Sequence, residues 1–230
     1  MKILYEDNDI LVCEKEAGLP TQSASVRSAD LVSQIRQHLN GAYLGIVHRL
    51  DTPVAGLLVF AKTKKAAASL SKQAQESALP DPKAQGHGMH KQYLATVEGL
   101  VEKSAPVILT DYLIKDGKNN MAVIVSEGTR DAQGKPSKCA KLSYEVLSYD
   151  EKTDTTTLNI RLLTGRFHQI RAQLSHMGHP IVGDVKYGAA NKKPAASKET
   201  AGIALCAYDL TFVHPATGEL MHFQIPNSSL

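Results

Sequence analysis

LSYEVLSYDEKTDTTTLNIRLL, residues 142–163, reads as two strands folded back on each other. Leu142, Tyr144 and Val146 alternate with Ser143 and Glu145, and Leu158, Ile160 and Leu162 alternate with Asn159 and Arg161, the period of a half-buried strand. The polar run Tyr149-Asp150-Glu151-Lys152 supplies the reversal, so Leu142 to Ser148 and Thr155 to Leu163 form an antiparallel pair. The same reading extends outward. Upstream, Lys91 to Val97, Val107 to Leu113 and Met121 to Ser126 read as strands, and Leu57 to Ala61 as a buried one. The chain opens on a hairpin, Ile3 to Tyr5 and Ile10 to Cys13. It closes on another, Ala204 to Val213 and Leu220 to Gln224, around His214-Pro215-Ala216-Thr217-Gly218.

Helices interrupt this pattern sparingly. Ser28 is a suitable N-cap for a helix carrying Leu31, Ile35 and Leu39 at i, i+4, i+8 and ending near Asn40-Gly41. Lys64 to Ser77, rich in Ala, Lys and Gln, reads as a second helix. Phe167 to Met177 reads as a third, stopped by Gly178 with Pro180 beyond it. Leu79 to His90, rich in Pro and Gly, reads as a solvated loop. Hairpins with scattered helices predict an α+β fold with a mixed, mainly antiparallel central sheet, organised as a single domain over residues 1–230.

The composition narrows the class of function. A chain of 230 residues, 43% hydrophobic and 21% charged, can bury a substantial core. No apolar run approaches the roughly 18 residues of a membrane helix, so no membrane partner is expected. The opening MKILYEDNDILVCEK carries acids where a signal peptide needs an apolar core. The three cysteines are far apart and form no CxxC pair, which argues against a disulfide framework or a zinc site and fits a reducing cytoplasm. His48, His168, His176 and His179 show no HExxH or other ligand spacing, so no metal is expected. A net charge of +3 permits a polyanionic partner without requiring one.

The residues suited to chemistry lie in two stretches. VHRLDTPVAGLLVFAK, residues 47–62, sets Asp51 between a basic dipeptide, His48 and Arg49, and a turn that feeds an apolar strand. TGRFHQIRAQLSHMGHPIVGD, residues 164–184, places Ile170, Leu174 and Met177 on one helix face and His168, Arg171 and Ser175 on another. That puts Arg171 at the polar margin of the helix. Were it to reach Asp51, it would hold that carboxylate ionised.

With these residues in view, the chain resembles the RluA-type pseudouridine synthases. HRLDTPVAGLLVFAK looks like their active-site motif, in the HRLD form that separates them from RsuA-type relatives. KQYLATVEG (91–99), TGRFHQIRAQLSHMGHPIVGD and ALCAYDLTFVHPATGE (204–219) look like the later motifs in order, and ILYEDNDILVCEKEAGLPTQ (3–22) like the start of the catalytic domain. The resemblance implies isomerisation of a uridine in rRNA or tRNA, by breaking the C1′–N1 bond and rebuilding it through C5, with no cofactor. It makes Asp51 the essential carboxylate, able to attack carbon or take a proton and then leave. Tyr93 matches the active-site tyrosine and Arg171 the cation that pairs with the catalytic carboxylate. Leu205 matches an apolar residue that packs against the base, and the resemblance implies that Arg49 would fill the gap left when the uridine flips out. His48, Arg166, His168 and Gln169 complete the expected substrate-binding set.

The chain departs from the pattern at several positions: Thr52 for a common arginine, Ala55 for serine, Glu16 for proline, Phe167 for a small polar residue, and Gln173 and Cys206 for histidine. The small N-terminal RNA-binding domain of many relatives is expected to be absent, and a monomer is expected. Two other readings compete: a catalytically silent RNA-binding or RNA-chaperone protein on the same scaffold, and a metal-dependent hydrolase built from the histidines.

Overall fold

In the computed structural model, residues 1–23, 29–76, 88–102, 106–190 and 202–226 are described. Chain order runs β1 (Lys2–Glu6), β2 (Ile10–Lys15), α1 (Leu31–His38), β3 (Gly45–Ile46), β4 (Ala55–Ala61), α2 (Lys64–Glu76) and β5 (His90–Glu98). It continues with β6 (Val107–Asp116), β7 (Met121–Val125), β8 (Lys138–Asp150), β9 (Thr155–Leu162), α3 (Gln169–His176), a 3-10 turn at Val185–Tyr187, β10 (Leu205–Val213) and β11 (Leu220–Gln224). The α+β class and the largely antiparallel sheet are as the sequence predicts. The described residues fall into two compact units, one of residues 1–92, 202 and 206–226, the other of residues 93–190 and 203–205.

In the first unit the strand order is β1-β2-β4-β10, with β11 on β10 and β3 on β4. Ile10 to Cys13 and Leu57 to Ala61 are all at most 1% exposed, as befits strands covered on both faces. Each such side chain removed from water contributes about 1.5–3 kcal/mol. Leu31, Val32 and Ile35 of α1 and Ala66 and Leu70 of α2 are buried in the same unit. The cap of α1 is Asp30, whose carboxylate accepts the Ser33 N–H at 2.6 Å and the Ser23 N–H at 2.7 Å. The expected cap, Ser28, lies outside the described residues, as do Ser77 at the end of the second expected helix and most of the Leu79–His90 loop. The contact of β4 with β10 is parallel, pairing Cys206 with Ala55 and Ala207 with Gly56. Gly56 sits at φ +130, and a Cβ there would meet the Ala207 carbonyl oxygen at 2.4 Å and its nitrogen at 2.6 Å. Only glycine admits this approach.

The second unit orders its strands β5-β9-β8-β6-β7. The ladder between β8 and β9 runs from Leu142↔Leu162 to Asp150↔Thr155 and slips once between Val146 and Ser148. Beyond the predicted strand, β8 extends back to Lys138, because its first half pairs with β6 in the register Leu113↔Lys138 to Val107↔Tyr144. Such a distant neighbour leaves no mark in local periodicity. Ala172 of α3 joins a core with Leu113, Ala122, Ala140 and Tyr187, and Phe167, Met121 and Ile124 pack against it.

Candidate active site

The turn that carries Asp51 is tied down at Leu50, at the Asp51 and Thr52 carbonyls and at the Val54 N–H. Thr21 Oγ1 donates to the Leu50 carbonyl at 2.8 Å and accepts the Leu50 N–H at 3.2 Å. The Val54 N–H closes the turn onto the Asp51 carbonyl at 3.1 Å, and the Gly18 N–H reaches the Thr52 carbonyl at 2.8 Å. Beneath lies Lys15, fully buried at the end of β2, whose ammonium donates to the carbonyls of Leu19 at 2.7 Å, Glu16 at 2.9 Å and Thr52 at 3.2 Å. Burial pulls the Lys15 ammonium down to about 8, against the opposing pull of the Asp51 and Glu16 carboxylates. The half-buried Asp51 side chain thus stands on a rigid turn with a buried cation in its field.

His48 points back into the same unit, its Nε2 accepting the Val59 N–H at 3.3 Å, which leaves the ring proton on Nδ1. Burial first, and the charge of Lys91 second, hold this imidazole well below its usual 6.5. His48 is therefore neutral at pH 7, and burial also lowers the Lys91 ammonium. Arg49, one residue on, is exposed. The HRLD segment thus combines a neutral anchor, a solvent-facing cation and a carboxylate.

In the second unit Arg171 does not sit at a polar helix margin, contrary to the helical-face reading. It is 5% exposed and makes a two-pronged ion pair with Asp184, which is 1% exposed, Nε to Oδ2 at 2.6 Å and Nη2 to Oδ1 at 2.8 Å. The reason is that α3 is buried nearly all round, from Gln169 to Leu174. The guanidinium also lies 4.8 Å from the centre of the Tyr187 ring. His168 is not on the helix. It caps α3 in the left-handed region, φ 49, with Nδ1 2.9 Å from the Tyr187 hydroxyl and Nε2 3.3 Å from Arg171 Nη1. Arginine can only donate, so His168 accepts at Nε2 and donates from Nδ1–H to Tyr187. The Tyr187 hydroxyl also accepts the Ala122 N–H at 2.7 Å.

Gln169 uses both ends of its amide within this unit. Its Nε2 donates to the Lys141 carbonyl at 3.0 Å, and its Oε1 accepts from Thr164 Oγ1 at 2.8 Å and from the Arg166 N–H at 3.0 Å. Its geometry is that of a residue that fixes the start of α3. Arg166 is exposed, with Nε on the Cys139 carbonyl at 3.0 Å. Tyr93 shares the buried face of β5 with Ala95 and Val97 and is 5% exposed, as is Leu205 at the start of β10. Among the described residues no group of three or more His, Cys, Asp or Glu side chains converges as metal ligands.

Lys15 beside the Asp51 turn, and Asp184 and Tyr187 beside Arg171, are partners that sequence reasoning did not single out. A lysine closing the apolar run ILVCEK was a signal for the first, and the end of GHPIVGD for the second. Nothing in the spacing marked Tyr187.

A family model described as RNA pseudouridylate synthase matches residues 9–176. An uncharacterized RNA pseudouridine synthase of Aquifex aeolicus (strain VF5) is 34% identical over 98% of this chain and 69% of its own length. The ribosomal large subunit pseudouridine synthase D of Nitrosomonas europaea is 32% identical over 98% of this chain and 62% of its own length. The ribosomal large subunit pseudouridine synthase C of Escherichia coli (strain K12) is 32% identical over 97% of this chain and 66% of its own length. The chain thus spans between 62% and 69% of the length of these relatives. The class so defined is that of isomerases acting on RNA. The structure of human RNA pseudouridylate synthase domain containing 1 superposes with a TM-score of 0.74 at 24% identity, covering 100% of this chain and 84% of that one, a likeness of fold. Within that class, the chain belongs to the RNA pseudouridylate synthase family, in its RluA-type branch.

Proposed function

We propose that this protein isomerises a specific uridine to pseudouridine, in large-subunit ribosomal RNA ahead of tRNA, with Asp51 as the reacting carboxylate. The observation that carries the reading is the immobilised Asp51 turn. Its backbone is tied to Thr21, Gly18 and the buried Lys15, which supports a reacting group carried on a turn already fixed before substrate binds. The relatives named for the ribosomal large subunit favour that RNA over tRNA. Asp51 opens the reaction at the ribose, the C1′–N1 bond breaks, the uracil turns and C5 bonds to C1′; the C5 proton is then lost, N1 takes up a proton, and the carboxylate is released as it began. The isomerisation is redox-neutral and transfers no group, so its chemistry calls for no cofactor or metal.

Tyr93 is assigned to the uracil ring and to removal of the C5 proton, and Arg171 to the carboxylate as its cation. Leu205 packs on the base, and Arg49, exposed beside the turn, takes the place of the everted nucleotide. His48, His168 and Gln169 act through position, and Arg166 faces RNA from the start of α3. The protein works as a monomer in the cytoplasm.

The test is to incubate unmodified large-subunit rRNA transcript with wild type and with Asp51→Asn, then map pseudouridine by carbodiimide-dependent primer extension. Wild type forms pseudouridine at a defined position, and Asp51→Asn forms none while still binding RNA. Equal modification by the two proteins removes Asp51 from the mechanism, and binding without modification by wild type leaves the silent RNA-binding reading.

A further inference from the structure

Phe167 departs from the family's pattern, and the roles assigned above leave its ring without a task. The ring is half-buried and seated against the core of Leu113, Ala122, Ala140, Ala172 and Tyr187. One face is covered by the His168 imidazole, with centroids 3.8 Å apart and planes 20° apart. So close a stack admits nothing between the rings, and the Lys115 ammonium, 4.6 Å from the Phe167 centroid, must therefore lie over the opposite face. His168 is itself held at its two ring nitrogens by Tyr187 at 2.9 Å and Arg171 at 3.3 Å. The outer face of Phe167 is thus a flat apolar surface on a rigid backing.

Its surroundings are cationic. Lys115, Arg166 and Lys186 are all exposed, and the charges of Lys115 and Lys186 both act on His168. A flat ring rimmed by exposed cations matches a nucleobase with its flanking phosphates. An acidic peptide would satisfy the cations and leave the ring unused. The lysine now over the ring is no obstacle, because a base stacked on that face is held more strongly than an exposed ammonium. The displaced ammonium then becomes available to a phosphate.

We propose that Phe167 is a stacking platform for one unpaired base of the RNA substrate, with Lys115 and Lys186 on the phosphates beside it. The identity of the ligand as RNA rests on the isomerase reading, but the test needs no turnover. The chain contains no tryptophan, so Phe167→Trp introduces a single indole at the site. Its fluorescence is titrated with an oligouridine nonamer and with an abasic ribose-phosphate nonamer. Binding of both probes to wild type, Phe167→Ala and Lys115→Gln is followed by anisotropy at several salt concentrations.

Base stacking predicts that the nonamer quenches the indole and the abasic strand does not. Phe167→Ala should bind oligouridine about ten-fold more weakly while binding the abasic strand as wild type does. Lys115→Gln should keep the base preference and lower the salt slope by about 0.7. An indole that the nonamer leaves unquenched, or equal losses for both probes in Phe167→Ala, overturns the proposal. Quenching by a protein that forms no pseudouridine supports it while overturning the isomerase reading. Pseudouridine formation with an unquenched indole does the reverse.

Discussion

His168 shows how far one imidazole can be moved by where the backbone puts it. Burial, followed by the charges of Arg171, Lys186 and Lys115, pulls it from 6.5 to about 3, and His48 is also held well below 6.5. In the unfolded chain both rings take up a proton near pH 6.5. Below that pH the unfolded state binds protons that the folded state refuses, so this stability is present above 6.5 and lost as the pH falls towards 3. Two such groups give a slope of about 2.7 kcal/mol per pH unit below their unfolded value. His168→Asn, which tolerates the left-handed backbone, should remove about half of that slope between pH 6 and 5. Urea unfolding at pH 7, 6, 5.5 and 5 checks it, and an unchanged slope would show that this ring is charged in the fold.

The Arg171–Asp184 pair is a sharper case at the same scale. Asp184→Ala removes the carboxylate that pairs with Arg171 Nε and Nη2 and should cost about 3–5 kcal/mol, whereas Arg171→Met combined with Asp184→Leu should recover much of the loss. Equilibrium unfolding of the two single variants and the double variant measures the coupling. Arg171 was legible in the sequence as a residue, through the HQIR motif. Its environment was not, because helical periodicity assigns faces relative to one neighbour while α3 is buried on nearly every side.

At the scale of elements, the parallel contact of β4 with β10 depends on one missing side chain. Gly56→Ala would set a methyl carbon 2.4 Å from the Ala207 carbonyl oxygen on a backbone at φ +130, and should cost more than about 3 kcal/mol. Gly18→Ala, also at positive φ but with open space around its Cβ, should cost only about 1 kcal/mol. Thermal melting of the two variants separates crowding from backbone strain. Elements were the most readable part of this chain. β11 matches its reading residue for residue, and short turns at residues 7–9 and 214–219 join the strands of the two expected hairpins. The misses share a cause. The extension of β8 is dictated by pairing with β6, and the two-residue β3 by pairing with β4, partners outside the window in which local periodicity is read.

For the molecule as a whole, a net charge of +3 is too small to select RNA, so affinity must come from local clusters of cations. If four phosphates are neutralised on a single strand, raising salt from about 50 to about 200 mM should weaken RNA binding about 50-fold. Filter binding of the rRNA transcript across that range tests it, and a nearly flat dependence would mean that binding is not electrostatic. The family was readable from ordered motifs, because chemistry constrains residue types directly. The carboxylate's supports were not, because a side chain that only braces backbone carbonyls has no fixed spacing from the group it serves.

One consequence concerns the residue that follows Asp51. Thr52 is exposed, and its carbonyl accepts hydrogen bonds from the Lys15 ammonium and the Gly18 N–H. Since every amino acid brings the same carbonyl, the identity of the side chain there is decoupled from the shape of the loop. Position 52 can therefore drift, or be retuned toward a different nucleic acid, without disturbing the reactive group next door. The arginine common in relatives is dispensable to the architecture for the same reason.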